Sequence, residues 1–368
     1  MAENYSNLFS EFNIPDYSEW LTVAREELQG TDPEQALAWQ VTDLQGNPYY
    51  TPEHLKTKQA IGLVLPPWQN SPLISVTSEA AGNVQALEHL NQGADGILFY
   101  IPNPSTISLE KLLEKIEWPH CTLSFLLDEA DDSFSVKLKQ FIGKKKYSPD
   151  ELTGSFFVKT YPHHPQTINN IVHNLIAFTN LNCIGLYISS GQPVERLATG
   201  LARAVQTVEQ LAAAGISAQV SLQRMGFVVE TGNDFFIEAA NLRALRLLFY
   251  QIARAYGVTE YQPSDLYIQA LSTPWVQSEL GPHSNMLKST TAALAAITGG
   301  CNALTVLPEN ETDARMVRIA RNVSNLLKEE SRLDKVTDPL AGSFYFEALT
   351  FQLIEKAWTL FQQKIAAR

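Results

Sequence analysis

The sequence predicts an α/β fold of the (β/α)8 TIM-barrel type behind an N-terminal extension, on three observations. The chain has 368 residues, 45% of them hydrophobic and 18% charged, which suits one large domain with a full core. Eight short runs along it are mostly apolar on both faces of the strand period, as parallel strands covered on two sides must be. Between these runs lie segments whose apolar residues recur at helical spacing. An open doubly wound sheet has the same alternation, so the pattern alone leaves the two architectures open.

Residues 1–68 precede the first run and form the expected extension; residues 69–368 form the barrel. The extension holds two helix-like pieces and the turn signals GNP and YYTP. Its Trp20, Trp39 and Trp68 are large apolar anchors that suit an interface or the barrel bottom equally. The strand-like runs are Leu73–Thr77, Gly96–Ile101, Thr122–Leu127, Gly154–Val158, Cys183–Ser189, Ala218–Gln223, Leu266–Leu271 and Ala303–Leu307. The helical patterns between them include SVKLKQFIGKK, VERLATGLARAVQTVEQLAAAG and LKSTTAALAAIT. A last helix, LTFQLIEKAWTLFQQKIAA, closes the sequence. Lys144–Lys146 read as a solvated helix end favoured by the helix dipole. Gly299 and Gly300 follow a helix, so they read as a helix stop and not as a phosphate cradle. DPLAGS, Asp338–Ser343, reads as a tight turn capped by its aspartate.

A formal charge of −12 argues against nucleic acid or an anionic membrane as partner. Three scattered cysteines make neither a disulfide framework nor a zinc site, and Cys121 and Cys183 read as buried free thiols. The first residues lack a basic start and an apolar stretch, and no run approaches a membrane span, so a cytoplasmic location is expected. The pair His163–His164 lies in a proline-flanked loop with no further metal ligand in view.

Several motifs carry a resemblance. RMGFVVETGNDFF (Arg224–Phe236) runs straight into a long helix pattern, followed by LKSTTAALAAITGG, RIARNVSNLLKEES and VTDPLAGSFYFEALT. In this order and spacing they resemble the barrel domain of the methylmalonyl-CoA mutases, and WLTVAREELQGTDPEQALAWQ with PYYTPEHL resembles that family's N-terminal segment. The resemblance implies the barrel over the open sheet. It also implies an extension that wraps a partner subunit.

Set beside the chemistry the family needs, the chain departs at several points. The resemblance implies a cobalt-binding histidine in an Asp-x-His-x-x-Gly pattern on a further domain. None of the seven histidines here follows Asp at that spacing, and no such domain is expected. The family's Tyr-His-Met-Gln-Glu-Ala-Gly stretch, whose histidine donates to the thioester carbonyl, corresponds to Ser189–Glu195. Ser189 stands for the tyrosine, Ser190 for the histidine, and Gln192 matches the glutamine. Ser71–Asn83 holds neither the tyrosine nor the arginine of the family's first turn, and Val306 stands where the eighth strand's histidine is expected. Arg224 matches an arginine that contacts the CoA portion, while Gly226 replaces the serine beside it. Read without the family, Arg224 pairs with a carboxylate such as Glu230, and the serines are turn residues.

The resemblance therefore implies the small subunit of a heterodimeric, adenosylcobalamin-dependent methylmalonyl-CoA mutase. In this reading the chain has no catalytic residue and binds no cofactor or metal. Its large catalytic partner carries the cobalamin and the radical chemistry. Two alternatives stand beside it: the substrate-binding barrel of a split mutase, and an acyl-CoA-binding module acting through Arg224.

Overall fold

The structure is a computed structural model that describes residues 16–55, 62–65, 67–160, 165–273 and 284–368. His163, His164 and His283 lie outside the described residues.

The barrel strands are β1 in two pieces (Gln69–Asn70 and Leu73–Ser75), β2 (Gly96–Ile101), β3 (Thr122–Glu129) and β4 (Gly154–Thr160). They continue as β5 (Leu181–Ile188), β6 (Met225–Thr231), β7 (Tyr267–Ser272) and β8 (Ala303–Thr305). Each pairs in parallel with the next. The first piece of β1 pairs with β8 and the second with β2, so one extended stretch joins both ends of the sheet and closes the barrel. At the seam Ser71 N donates to Leu304 O at 2.9 Å and Leu98 N donates to Pro72 O at 2.9 Å. Pro72 has no N–H to give the ladder, which accounts for the break in β1.

The helices that follow the strands are α1 (Glu79–Asn91), α2 (Leu109–Leu112), α3 (Asp132–Lys145) and α4 (Pro165–Leu175). After these come α5 (Pro193–Ala213), α6 (Phe235–Ala255), α7 (Ser284–Thr298) and α8 (Ala314–Glu329). Ser78, Asp131, Asp234 and Asp313 cap four of them by accepting from first-turn N–H groups. The final helix, Phe344–Ala366, lies across α5 and α6.

One predicted strand is corrected. Ala218–Gln223 is a short helix, capped by Ser217, and the sixth strand is Met225–Thr231. Ala218–Gln223 alternates apolar and polar residues as a strand does, but six residues are too few for that period to decide, and the Ser217 side chain caps a helix turn instead by accepting from Val220 N at 3.3 Å. Cys183 and Cys301 are buried, but Cys121 is only half-buried, because it sits outside β3 at the end of the Trp118–His120 turn.

In the extension, a helix over Tyr17–Glu27 buries no residue. An antiparallel pair, Trp39–Val41 with Leu44–Gly46, follows it. This hairpin docks on the final helix of its own chain. Leu44 is fully buried, Gln45 N donates to Gln352 Oε1 at 2.9 Å, and Gln352 Nε2 donates back to Gln45 O at 2.9 Å. Trp68 is buried in the barrel wall and donates to Ser324 Oγ of α8 at 2.9 Å.

The predicted aspartate cap of DPLAGS is also corrected. The Asp338 carboxylate receives Arg243 of α6 and the Leu63 N–H, and Glu347 meets the other side of the same guanidinium at 3.3 Å. The motif thus clamps the final helix to α6 with a buried ion triad, where burial is tolerable because each charge is paired.

Candidate functional site

In a barrel of this kind chemistry sits where the strands end at their carboxyl side, so the mouth is the place to look. Ser189, Ser190 and Gln192 follow β5 there and are exposed, and Val306 follows β8 and is 7% exposed. Arg224 and Gly226 lie at the start of β6, at the opposite end of the barrel. The six positions taken from the family pattern therefore fall into two groups, about 20 Å apart along a seven-residue strand.

Arg224 does not pair with Glu230. Its guanidinium donates to the carbonyls of Phe178 at 3.2 Å, Ile176 at 3.3 Å and Leu181 at 3.5 Å, tying the turn after α4 to the barrel bottom. Gly226 serves packing: a Cβ there would meet Tyr267 Cδ1 at 3.3 Å. Gly185 on β5 has the same role more sharply, since a Cβ would come within 2.4 Å of Phe157 Cδ1 and 2.2 Å of Phe156 O.

Those glycines make room for rings that fill the barrel axis. Leu98, Leu126, Phe157, Val228 and Leu271 form a buried cluster inside the sheet, joined by Tyr267, Tyr187, Tyr100 and Leu307. Phe157 and Tyr267 stack at a centroid separation of 6.3 Å. Two residues past Tyr267 on β7, Gln269 is fully buried and donates to Thr305 Oγ1 at 3.0 Å and Ser71 Oγ at 3.3 Å, a polar staple across the closing seam.

Above this plug lies a polar set that the sequence reading missed. Tyr100 donates its hydroxyl to Asp128 Oδ2 at 2.7 Å, and Lys159 Nζ reaches Asp128 Oδ1 at 3.0 Å. The same ammonium sits 3.9 Å from the Tyr100 ring centroid, a cation–π contact. Tyr187 donates to Glu230 Oε1, and Glu230 Oε2 takes the Ser190 N–H at 2.6 Å. Arg196 of α5 donates to Glu230 O at 2.9 Å and pairs with Glu238 at 2.5 Å. The signal for these residues was period two: each of Tyr100, Asp128, Lys159, Tyr187 and Glu230 lies two places past an inward residue of the plug or its glycine gap.

These groups answer one another's charge. Partial burial works to raise the Asp128 carboxyl, but the Tyr100 hydroxyl and Lys159 outweigh it and hold it below its ordinary value. Tyr100 is pushed up, first by its bond to Asp128 and then by burial. Tyr187 is pushed up strongly by burial and by Glu230. Each phenol is committed as donor to a carboxylate, and neither is poised to give a proton to a bound carbonyl.

The described histidines do not fit a cobalt ligand at the mouth. His89 is buried on α1 with Nδ1 on Arg321 at 3.3 Å, His173 points Nδ1 at Asn169 O at 3.1 Å, and His54 is held by Thr51. His120 lies in the turn before β3, at the barrel bottom. Among the described residues no group of three His, Cys, Asp or Glu is placed to hold a metal ion.

Comparison with known proteins adds a second line. Residues 139–367 match the family model described as methylmalonyl-CoA mutase. The methylmalonyl-CoA mutase small subunit of Porphyromonas gingivalis is 29% identical, over 98% of this chain and 64% of its own length. The small subunit of Streptomyces virginiae is 35% identical over 46% of this chain and 28% of its own. The Porphyromonas gingivalis large subunit is 29% identical over 62% of this chain and 34% of its own. The chain thus spans less than two thirds of the length of each of these relatives.

Proposed function

The chain belongs to the methylmalonyl-CoA mutase family, and on that premise we propose that it is the small, non-catalytic subunit of a heterodimeric mutase. In this reading a large subunit holds adenosylcobalamin and interconverts methylmalonyl-CoA and succinyl-CoA. The present chain supplies a paired barrel that stabilises the complex. The occurrence of small and large subunits in Porphyromonas gingivalis supports a two-chain assembly.

The observation that carries the reading is the occupied barrel axis. Phe157, fully buried, fills the centre, and Ser190, standing at the family's imidazole position, has its backbone tied to Glu230. A thioester needs space on the axis and a donor that reaches it, and the Ser190 hydroxyl is shorter than an imidazole. Residues 1–68 are read as the extension that reaches the partner, with 69–368 as the barrel. No helix among the described residues is long and apolar enough to cross a membrane, and a cytoplasmic location accords with this reading.

The test is turnover by the purified chain, alone and co-expressed with the catalytic mutase chain of the same genome. Activity is expected only in the complex. A mutase-like rate from the isolated chain with adenosylcobalamin and methylmalonyl-CoA would end the proposal. Calorimetric binding of a CoA ester to the isolated chain would favour the binding-module alternative instead.

A further inference from the structure

The RIARN motif divides into two faces. Arg321 turns inward, giving one nitrogen to His89 Nδ1 at 3.3 Å and another to Gln92 Oε1 at 2.5 Å, and Ala320 is buried beside it. Arg318, Ile319 and Asn322 turn outward and line a cleft of about 440 Å³ between α7 and α8. Its other walls include Leu287, 70% exposed, Leu326, 49% exposed, and Met286, 39% exposed. Apolar side chains this exposed, gathered in one cleft, mark an interaction surface. The cleft shares Met286, Ile319 and Val323 with a smaller hollow that runs up to Val306 and Leu307 at the mouth and adds Met316. Methionine walls adapt to a partner's side chains.

The charged residue that lines the cleft is Arg318, with Arg315 one turn before it, on an acidic protein of net charge −12; Glu309 lines the adjoining hollow at the mouth side. Arg315 and Arg318 are exposed, one turn apart, with no ion-pair partner among the described residues. They stand in the first two turns of α8, where the helix dipole disfavours cations and the Asp313 cap is the carboxylate that meets the first-turn N–H groups. Like charges at this spacing repel, and carboxylates from outside would relieve both penalties.

We propose that the α7–α8 cleft docks an amphipathic helix of the catalytic mutase chain, apolar at i, i+3/i+4 and i+7 and flanked by carboxylates. The inference rests on the two-chain reading above.

The experiment uses the chain co-expressed with the catalytic mutase chain of the same genome. A photo-crosslinking benzoylphenylalanine is placed at Leu287 or Leu326, and crosslinked peptides are read by mass spectrometry. The expected peptide is an acidic amphipathic helix of the catalytic chain. Leu287→Asp with Leu326→Asp should weaken the complex about tenfold or more, as loss of apolar anchors does. Arg315→Glu with Arg318→Glu should weaken it and flatten its salt dependence. Val136→Asp, exposed on α3, should change nothing. All these positions are exposed, so thermal melts should match the parent. If the complex assembles with parental affinity in both double variants, or if crosslinks reach only a second copy or the same chain, the cleft proposal falls and the two-chain reading stands. If the parent chains form no complex, both fall.

Discussion

Tyr187 on β5 donates its hydroxyl to Glu230 on β6, and the other oxygen of that carboxylate takes the Ser190 N–H at 2.6 Å. One side chain thereby holds the loop that carries Ser189, Ser190 and Gln192.

Glu230→Ala leaves a half-buried phenol and a backbone N–H without their acceptor. The expected loss is about 1–3 kcal/mol of folding stability, read by urea denaturation, with faster protease cleavage near 189–192. Parental stability and cleavage would show that the loop is held by something else.

The two glycines of the barrel axis should differ. Gly185→Ala drives a methyl into the Phe156 carbonyl and the Phe157 ring and should cost about 3 kcal/mol, the upper end for an overpacked core. Gly226→Ala meets the Tyr267 ring at 3.3 Å and its Cβ and carbonyl oxygen at 3.4 Å, a small adjustment, and should cost under about 1 kcal/mol. Equal effects in a denaturation series would contradict the packing described for the axis.

Arg243 sits between Asp338 and Glu347 with its side chain 1% exposed. Arg243→Met strands two buried carboxylates and should cost about 3–5 kcal/mol. Adding Asp338→Asn and Glu347→Gln to that variant should restore part of the loss. A triple variant no better than the single one would mean that the cost is steric and not electrostatic.

His89 is lowered from its ordinary 6.5 to about 4, chiefly by burial and then by the Arg321 charge. A depressed base stabilises the fold above its unfolded value, and that contribution is lost as pH falls. Unfolding free energy should therefore drop between about pH 6.5 and pH 4 by up to about 3 kcal/mol from this group. His89→Gln should flatten that slope in urea titrations at several pH values. An unchanged slope would assign the acid sensitivity to other groups.

How much of the site was legible depends on distance along the chain. The serines after β5 were found because they end a local apolar run. The alternation of Ala218–Gln223 predicts a strand that ends at Arg224, but the segment is a helix and the strand begins at Met225, so Arg224 lies at the barrel bottom. The mouth pairs went unseen because Tyr100 meets Asp128 across 28 positions and Tyr187 meets Glu230 across 43.

The sequence by itself determined the alternation of strands and helices, since side-chain period and helix caps act within a few residues. Its motifs also carried the family. Only the tertiary structure decided that the two pieces of β1 close the sheet, that Phe157 and Tyr267 fill the axis, and that the mouth's acids and phenols satisfy one another. Those outcomes depend on which strands become neighbours, and side chains far apart in sequence meet only after the barrel has closed.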